Sequence, residues 1–439
     1  MFFISDDWKV FGWGADFNGM MALGEDSLCY YFPASIPAPT SGAGWTAISC
    51  GFGYSAGIAN VNGFGRLYEW GDFSGGAVHW NISKSLSPLR IDVSEVQSWK
   101  SVALGSFCGG ALSYGGQIYT WGDRRRGQRG NYSTDSISAV TYADVSQWTQ
   151  LACGVDHMLA IANGNRIFSW GFNLTGQLGS GDTLMRFTPY EIPFTQPHHW
   201  KKVFASVSSS FALSDDGRLF GWGSNEWGEL TRDSQIVTQK TPVEIAFPAQ
   251  GGYWLDIACG YNTIVGLGSD SEVYTWGANQ EGEFWQDIFP HRTPTRVHRP
   301  YGVTGWVRIG ANYHSAAALA TNHKLYCWGR RDSGDLNHNR RIKQDTLTLL
   351  LDFNPAFVSS SLKFASAAWP TPIHKNSRLH LDHPNGMSSI ILCDILGREI
   401  LRQAINISQS HSEIFIPNLP NGIYILRSGT SQWKVSVSD

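Results

Sequence analysis

The sequence predicts an all-β chain: a seven-bladed β-propeller followed by a small β-sandwich. Three observations predict it. An aliphatic–aromatic–x–Trp–Gly pentapeptide recurs with its tryptophan at 13, 70, 121, 170, 222, 276 and 328, in steps of 57, 51, 49, 52, 54 and 52 residues. A second glycine follows each frame glycine five positions on, at 19, 76, 127, 176, 228, 282 and 334. The last seventy or so residues carry no Trp-Gly pair and read as short strands. With 19 Trp and 48 Gly in 439 residues, random placement gives about two Trp-Gly pairs, whereas eight occur, seven of them in the full frame. A period near fifty residues marks a repeat architecture.

Each repeat reads as four short strands. The Trp-Gly strand and its glycine loop come first, as in Trp170-Gly171-Phe172-Asn173-Leu174-Thr175-Gly176-Gln177-Leu178-Gly179. A Pro-led strand follows, at Pro88, Pro189, Pro242 and Pro294, where a missing N–H does least harm. Next is a Trp-x-x-aliphatic-x-x-Gly strand, such as Trp148, Leu151 and Gly154 or Trp254, Ile257 and Gly260. A strand of small residues comes last, and turns through Asn62-Gly63, Gly115-Gly116 or Asp216-Gly217 into the next Trp-Gly strand; these pairs accept the positive φ of a tight hairpin. Four such strands cannot bury two apolar faces alone, but repeats set radially can. The period-two alternation of the frame puts its aromatic and its Trp on one side of a blade and the leading aliphatic on the other.

The N-terminal segment Phe2-Phe3-Ile4-Ser5 aligns with Phe211-Ala212-Leu213-Ser214, so the sequence enters mid-repeat. Two readings follow: the N-terminal strand completes the last blade begun at Trp328, or an earlier half-repeat and a signal peptide precede Met1. The seventh repeat is degenerate after Leu336, with 350–365 the substitute for its missing strand. The expected domains are a propeller over 1–358, a Ser-rich linker over 359–372 and a β-sandwich over 373–439, with strands at 378–381, 389–393, 399–404, 412–416, 422–427 and 434–437.

Composition excludes several classes of function. Net charge is −3 and charged residues make up 16 %, which argues against generic nucleic-acid binding. No apolar run is long enough for a transmembrane helix. The Arg124-Arg125-Arg126 run lies in an expected loop and reads as solvated. Cys50, Cys153 and Cys259 share one slot in alternate repeats and read as small core residues rather than a disulfide or metal set. No phosphate loop, Cys/His ligand spacing or repeated acid–base set is present, so no catalytic, cofactor or metal residues are assigned. The 19 tryptophans are accounted for mainly as repeat core.

The stretch at 170–179, the Thr-Pro strand starts and the spacing of Gly154, His157, Ala160 and Ile161 resemble the regulator of chromosome condensation repeat. The resemblance covers about residues 1–345 and implies a seven-bladed propeller. Residues Asp394, Gly397 and Arg398, with Leu419-Pro420-Asn421-Gly422-Ile423-Tyr424, resemble the C-terminal sorting domain of type IX secretion cargo in Bacteroidota. Pro370-Thr371-Pro372 departs from that family's opening Pro-Asn-Pro. Together these imply a non-enzymatic, exported propeller that binds a protein or glycan at the cell surface and engages the secretion machinery through its tail. The alternative is an intracellular guanine-nucleotide exchange factor. A plant ultraviolet sensor has the same propeller, but the tryptophans here are read as core. The expected partner-binding residues lie in and beside the turn after the slot glycine: Phe52, Tyr54, Phe107, His157, Tyr261 and Tyr313. Aromatic rings set on equivalent turns of one face are suited to anchor an interface.

Overall fold

The computed structural model describes residues 2–352 except for 6–7, 17–18, 25–28, 75, 80, 164, 195–197, 231–232, 280–289, 313–314 and 330–347; beyond 352 it describes strands alone. The chain divides into two compact units, Met1–Val358 and Ser359–Asp439.

The first unit is a seven-bladed propeller. Blade 4 is representative: Trp148–Cys153 is innermost, followed outward by His157–Ala162, Arg166–Gly171 and Arg186–Glu191, all antiparallel. Blades 2, 3, 5, 6 and 7 repeat this order over 44–91, 99–139, 200–245, 254–296 and 306–352. Blade 1 holds Phe2–Ile4, Val10–Ala15 and Cys29–Ile36. The seventh blade takes its fourth strand from Thr348–Asp352, paired with Lys324–Gly329. The N-terminal strands therefore do not complete that blade; they form a sheet of their own, and the first of the two readings of the N-terminus is corrected. Of the expected substitute at 350–365, residues 350–352 belong to this outer strand and the rest lie outside the described residues.

The ring is held by seams between blades, and each seam repeats one chemistry. Leu67 packs forward against Trp121 of blade 3. Ile118 packs against Phe168 and Trp170, and Ile167 against Phe220 and Trp222. Leu219 meets Tyr274 and Trp276; Val273 meets Tyr326 and Trp328. The circle closes where Leu325 of blade 7 meets Trp13 of blade 1, and Val10 meets Tyr68 and Trp70 of blade 2. This is the two-sided alternation expected from the pentapeptide. The indoles also tie blades together as donors: Trp170 Nε1 to Gln128 O at 3.0 Å, Trp222 Nε1 to Gln177 O at 3.0 Å and Trp276 Nε1 to Glu229 O at 2.7 Å.

The frame glycine is required by geometry. Gly171 has φ near +107°, and a Cβ there would meet Asp156 O at 2.5 Å and His157 Cα at 2.8 Å. The second glycine docks its loop on the neighbouring blade: a Cβ on Gly127 would lie 2.3 Å from Arg186 O.

The second unit contains a five-stranded sheet and a two-stranded one. The first runs Ile373–His374, Ser431–Ser438, Gly422–Ser428, Ser389–Cys393 and Glu399–Ala404; the second pairs Arg378–Asp382 with His411–Phe415. The expected linker at 359–372 lies outside the described residues.

Candidate functional site: the channel mouth and its collar

The innermost strands of blades 2 to 7, with Phe2–Ile4 of the three-stranded blade 1, surround a central channel of about 850 Å³. In blades 2 to 6 the innermost strand ends in a slot residue and a short turn. Because His157 pairs with Gly171, these turns sit at the same end of the blades as the loops after the Trp-Gly strands. One face thus carries both sets of loops.

At the mouth stand Phe52, Phe107, Val155, Val207 and Tyr261. Phe52 is 65 % exposed and Phe107 42 %; Tyr261 is half-buried. Farther out on this face, Tyr132, Leu174, Leu184, Met185 and Val237 are also exposed, and Tyr132 stacks on Phe187 at 6.0 Å. Charged pairs frame this apolar area. Arg125 grips Asp123 through Nε and Nη2, and Arg126 Nη1 donates to Asp156 at 2.6 Å while its guanidinium lies over Phe172. Apolar centre and charged surround are the anatomy of a protein interface.

Two expected contact residues are not on this surface. Tyr54 and His157 are fully buried. Each is the first residue of its strand rather than part of the turn, so its side chain points into the seam with the next blade. Tyr54 OH donates to Cys108 O at 2.9 Å. His157 Nε2 lies 2.8 Å from Ser210 Oγ, which donates to Gln177 O. Burial pulls the imidazole down to about 3, so it is neutral near pH 7. Both residues are structural ties. Tyr313 lies outside the described residues.

The channel wall corrects a third expectation in part. Cys50, Cys153 and Cys259 line the channel with Leu104, Ala205 and Ala311, while Cys153 and Cys259 also pack against the seam clusters of blades 3 to 4 and 5 to 6. Cys50 is exposed there and the other two are half-buried; no disulfide joins them. The surrounding protein pushes the Cys50 thiol up, so it is not an activated nucleophile. Among the described lining residues Arg308 is the one charged side chain, and no carboxylate faces the channel. No cluster of three or more His, Cys, Asp or Glu with metal-binding geometry occurs among the described residues. Such a wall can bind an apolar protrusion, and it presents no pair of groups for proton transfer.

Models of the regulator of chromosome condensation (RCC1) repeat match residues 165–213 and 216–267, and a second model of the repeat matches 148–177, 200–228 and 254–283. Blades 4 to 6 are built of regulator of chromosome condensation repeats. A secretion system C-terminal sorting domain matches residues 367–437. The chain is 25 % identical over 345 residues to the ultraviolet-B receptor UVR8 of Arabidopsis thaliana, covering 76 % of this chain and 64 % of that protein. It is 24 % identical to the E3 ubiquitin-protein ligase HERC2 of Homo sapiens over 76 % of this chain but 6 % of the ligase. The chain thus spans less than two thirds of these relatives. Two solved structures show the same fold at 20 % identity. Human WBSCR16 has a TM-score of 0.69, with 78 % of this chain and 94 % of that one covered. Yeast RCC1 (Prp20), solved bound to Kap60, has a TM-score of 0.66, with 80 % and 86 % covered. The tryptophans of the RCC1 frame are in the seams here; Trp13, Trp70, Trp121, Trp170, Trp222, Trp276 and Trp328 are all at most 4 % exposed.

Proposed function

We propose that this chain is a non-catalytic binding protein, exported through its C-terminal sorting domain, that captures a protein partner on the collar face of its propeller. The observation that carries this reading is the pair of exposed phenylalanines, Phe52 and Phe107, on adjacent blades at the channel mouth. Large apolar side chains grouped at a rim and framed by charge are interface material. The collar favours protein over glycan, since Phe52, Phe107, Val155 and Val207 offer no side-chain donors or acceptors to sugar hydroxyls and Tyr261 adds a single phenol to them. The sorting domain at 367–437 favours export over an intracellular exchange factor, which has no use for one.

The test is a double variant, Phe52→Ala with Phe107→Ala. Both side chains are exposed, so the melting temperature should stay within about 1 °C while capture from a surface-protein extract falls at least tenfold. Equal capture by variant and wild type rejects the collar. Deleting residues 367–439 should hold the propeller inside a host that has a type IX system; normal secretion of the deleted chain rejects export through the tail.

A further inference from the structure

The glycine loop that follows the Trp-Gly strand has one sequence in three blades, with one departure. Blade 4 reads Gly176-Gln177-Leu178-Gly179 and blade 5 reads Gly228-Glu229-Leu230. Leu178 and Leu230 are buried in their blades. Blade 3 reads Gly127-Gln128-Arg129-Gly130, so a guanidinium stands where its sisters bury a leucine. Arg129 is only 3 % exposed. Its Nη2 donates to Ser138 Oγ at 2.6 Å, but its Nε is buried with no partner, and among the described residues no carboxylate forms a salt bridge with it. Asp135 is near enough to favour its charge without bonding to it, and a buried cation with no direct ion pair is costly, so a second anion at the free Nε would offset that cost.

The surroundings fit an anion. Arg129 lines a pocket of about 380 Å³ between the blade 2 loop at Gly76 and Ala77 and the blade 3 loop at 122–136. Arg124 lines it too and has no ion-pair partner among the described residues, unlike Arg125 and Arg126. Thr134 and Ser136 add hydroxyl donors. Two carboxylates share the pocket, but Asp123 is held by both Nε and Nη2 of Arg125 and Asp135 accepts from Ser133 Oγ. We propose that this pocket is a binding site for an oxyanion, a carboxylate or phosphate group that pairs with Arg129 and Arg124. Planar forked donors suit both anions. The site is independent of the collar proposal, because it needs neither Phe52 nor Phe107.

The test is thermal melting of the full chain against inorganic phosphate and against succinate, with chloride at matched ionic strength as the reference. Wild type should show a saturable rise of a few degrees with at least one anion. A response to phosphate alone assigns a phosphate-bearing ligand, to succinate alone a carboxylate. Arg129→Leu, which installs the residue of the sister blades, should fold and lose the response; should it fail to fold, Arg129→Gln serves in its place with the same expectation. Asp135→Asn removes a competing charge and should tighten binding severalfold. An equal rise in the Arg129 variant, no saturable rise beyond chloride in wild type, or weaker binding in Asp135→Asn would each overturn the site.

Discussion

Glu229 offers a stability gain whose sign depends on pH. It is fully buried in the blade 5 glycine loop. Its Oε2 accepts from Trp227 N at 2.9 Å, while Oε1 has no partner. Burial raises its carboxyl to about 7, against about 4.5 when unfolded. A raised acid costs the fold nothing below pH 4.5. The penalty then grows with pH and levels off above 7, because the unfolded chain ionises first. The gap of roughly 2.5 units corresponds to about 3 kcal/mol at pH 8. Blades 3 and 4 place Gln128 and Gln177 in the same slot, each accepting a loop N–H through its side-chain oxygen. Glu229→Gln therefore has two precedents in the same molecule. It should leave stability nearly unchanged at pH 4.5 and raise it by about 3 kcal/mol at pH 8. For the 358-residue unit, unfolding entropy of about 0.75 kcal/mol/K makes this a shift of about 4 °C. Urea denaturation and thermal melting at pH 4.5, 6 and 8 read it out. A difference between variant and wild type that is the same at all three pH values, or a variant less stable at pH 8, refutes the reasoning.

Two further predictions concern the seams. His157, at about 3 in the fold and about 6.5 unfolded, is a depressed base; its contribution is complete above pH 6.5 and is lost as pH falls. Relative to wild type, His157→Thr, with the residue that fills the slot in blade 6, should gain about 2 kcal/mol between pH 7 and pH 5 in urea melts, and a flat difference would contradict the buried neutral ring. Trp222→Ala removes a fully buried indole and its bond to Gln177 O, and should cost about 3–5 kcal/mol in the same assay; a loss under 1 kcal/mol would mean the seam does not depend on it.

The seams were legible because strand alternation alone decides which frame residue faces which neighbour, and that alternation is written in Leu67, Tyr68 and Trp70 or Ile167, Phe168 and Trp170. The tail strands were legible from hydrophobic runs bounded by turn residues, and five of the six predicted spans match to within one residue at both ends. The site was half legible. Phe52 and Phe107 are on the turn, but Tyr54 and His157 are one or two residues farther along, where the chain has already re-entered a strand. A shift that small exchanges solvent for the seam, and only the strand boundary reveals it. The channel cysteines were misread in part, because a residue at the end of an innermost strand borders both seam and axis, and nothing in its type says which it faces. Arg129 had a usable signal: alignment of the glycine loops with one another exposes the odd residue.

Because every seam joins the same kinds of side chain in the same direction, any blade is a suitable neighbour for any other. Transposing blades 4 and 5 would leave each aliphatic still meeting an aromatic pair. The loops at the mouth, by contrast, differ from blade to blade and would travel with their sheets. A shuffled ring would then keep its rigidity while presenting the same recognition elements in a new circular order, which separates what the molecule stands on from what it reads with.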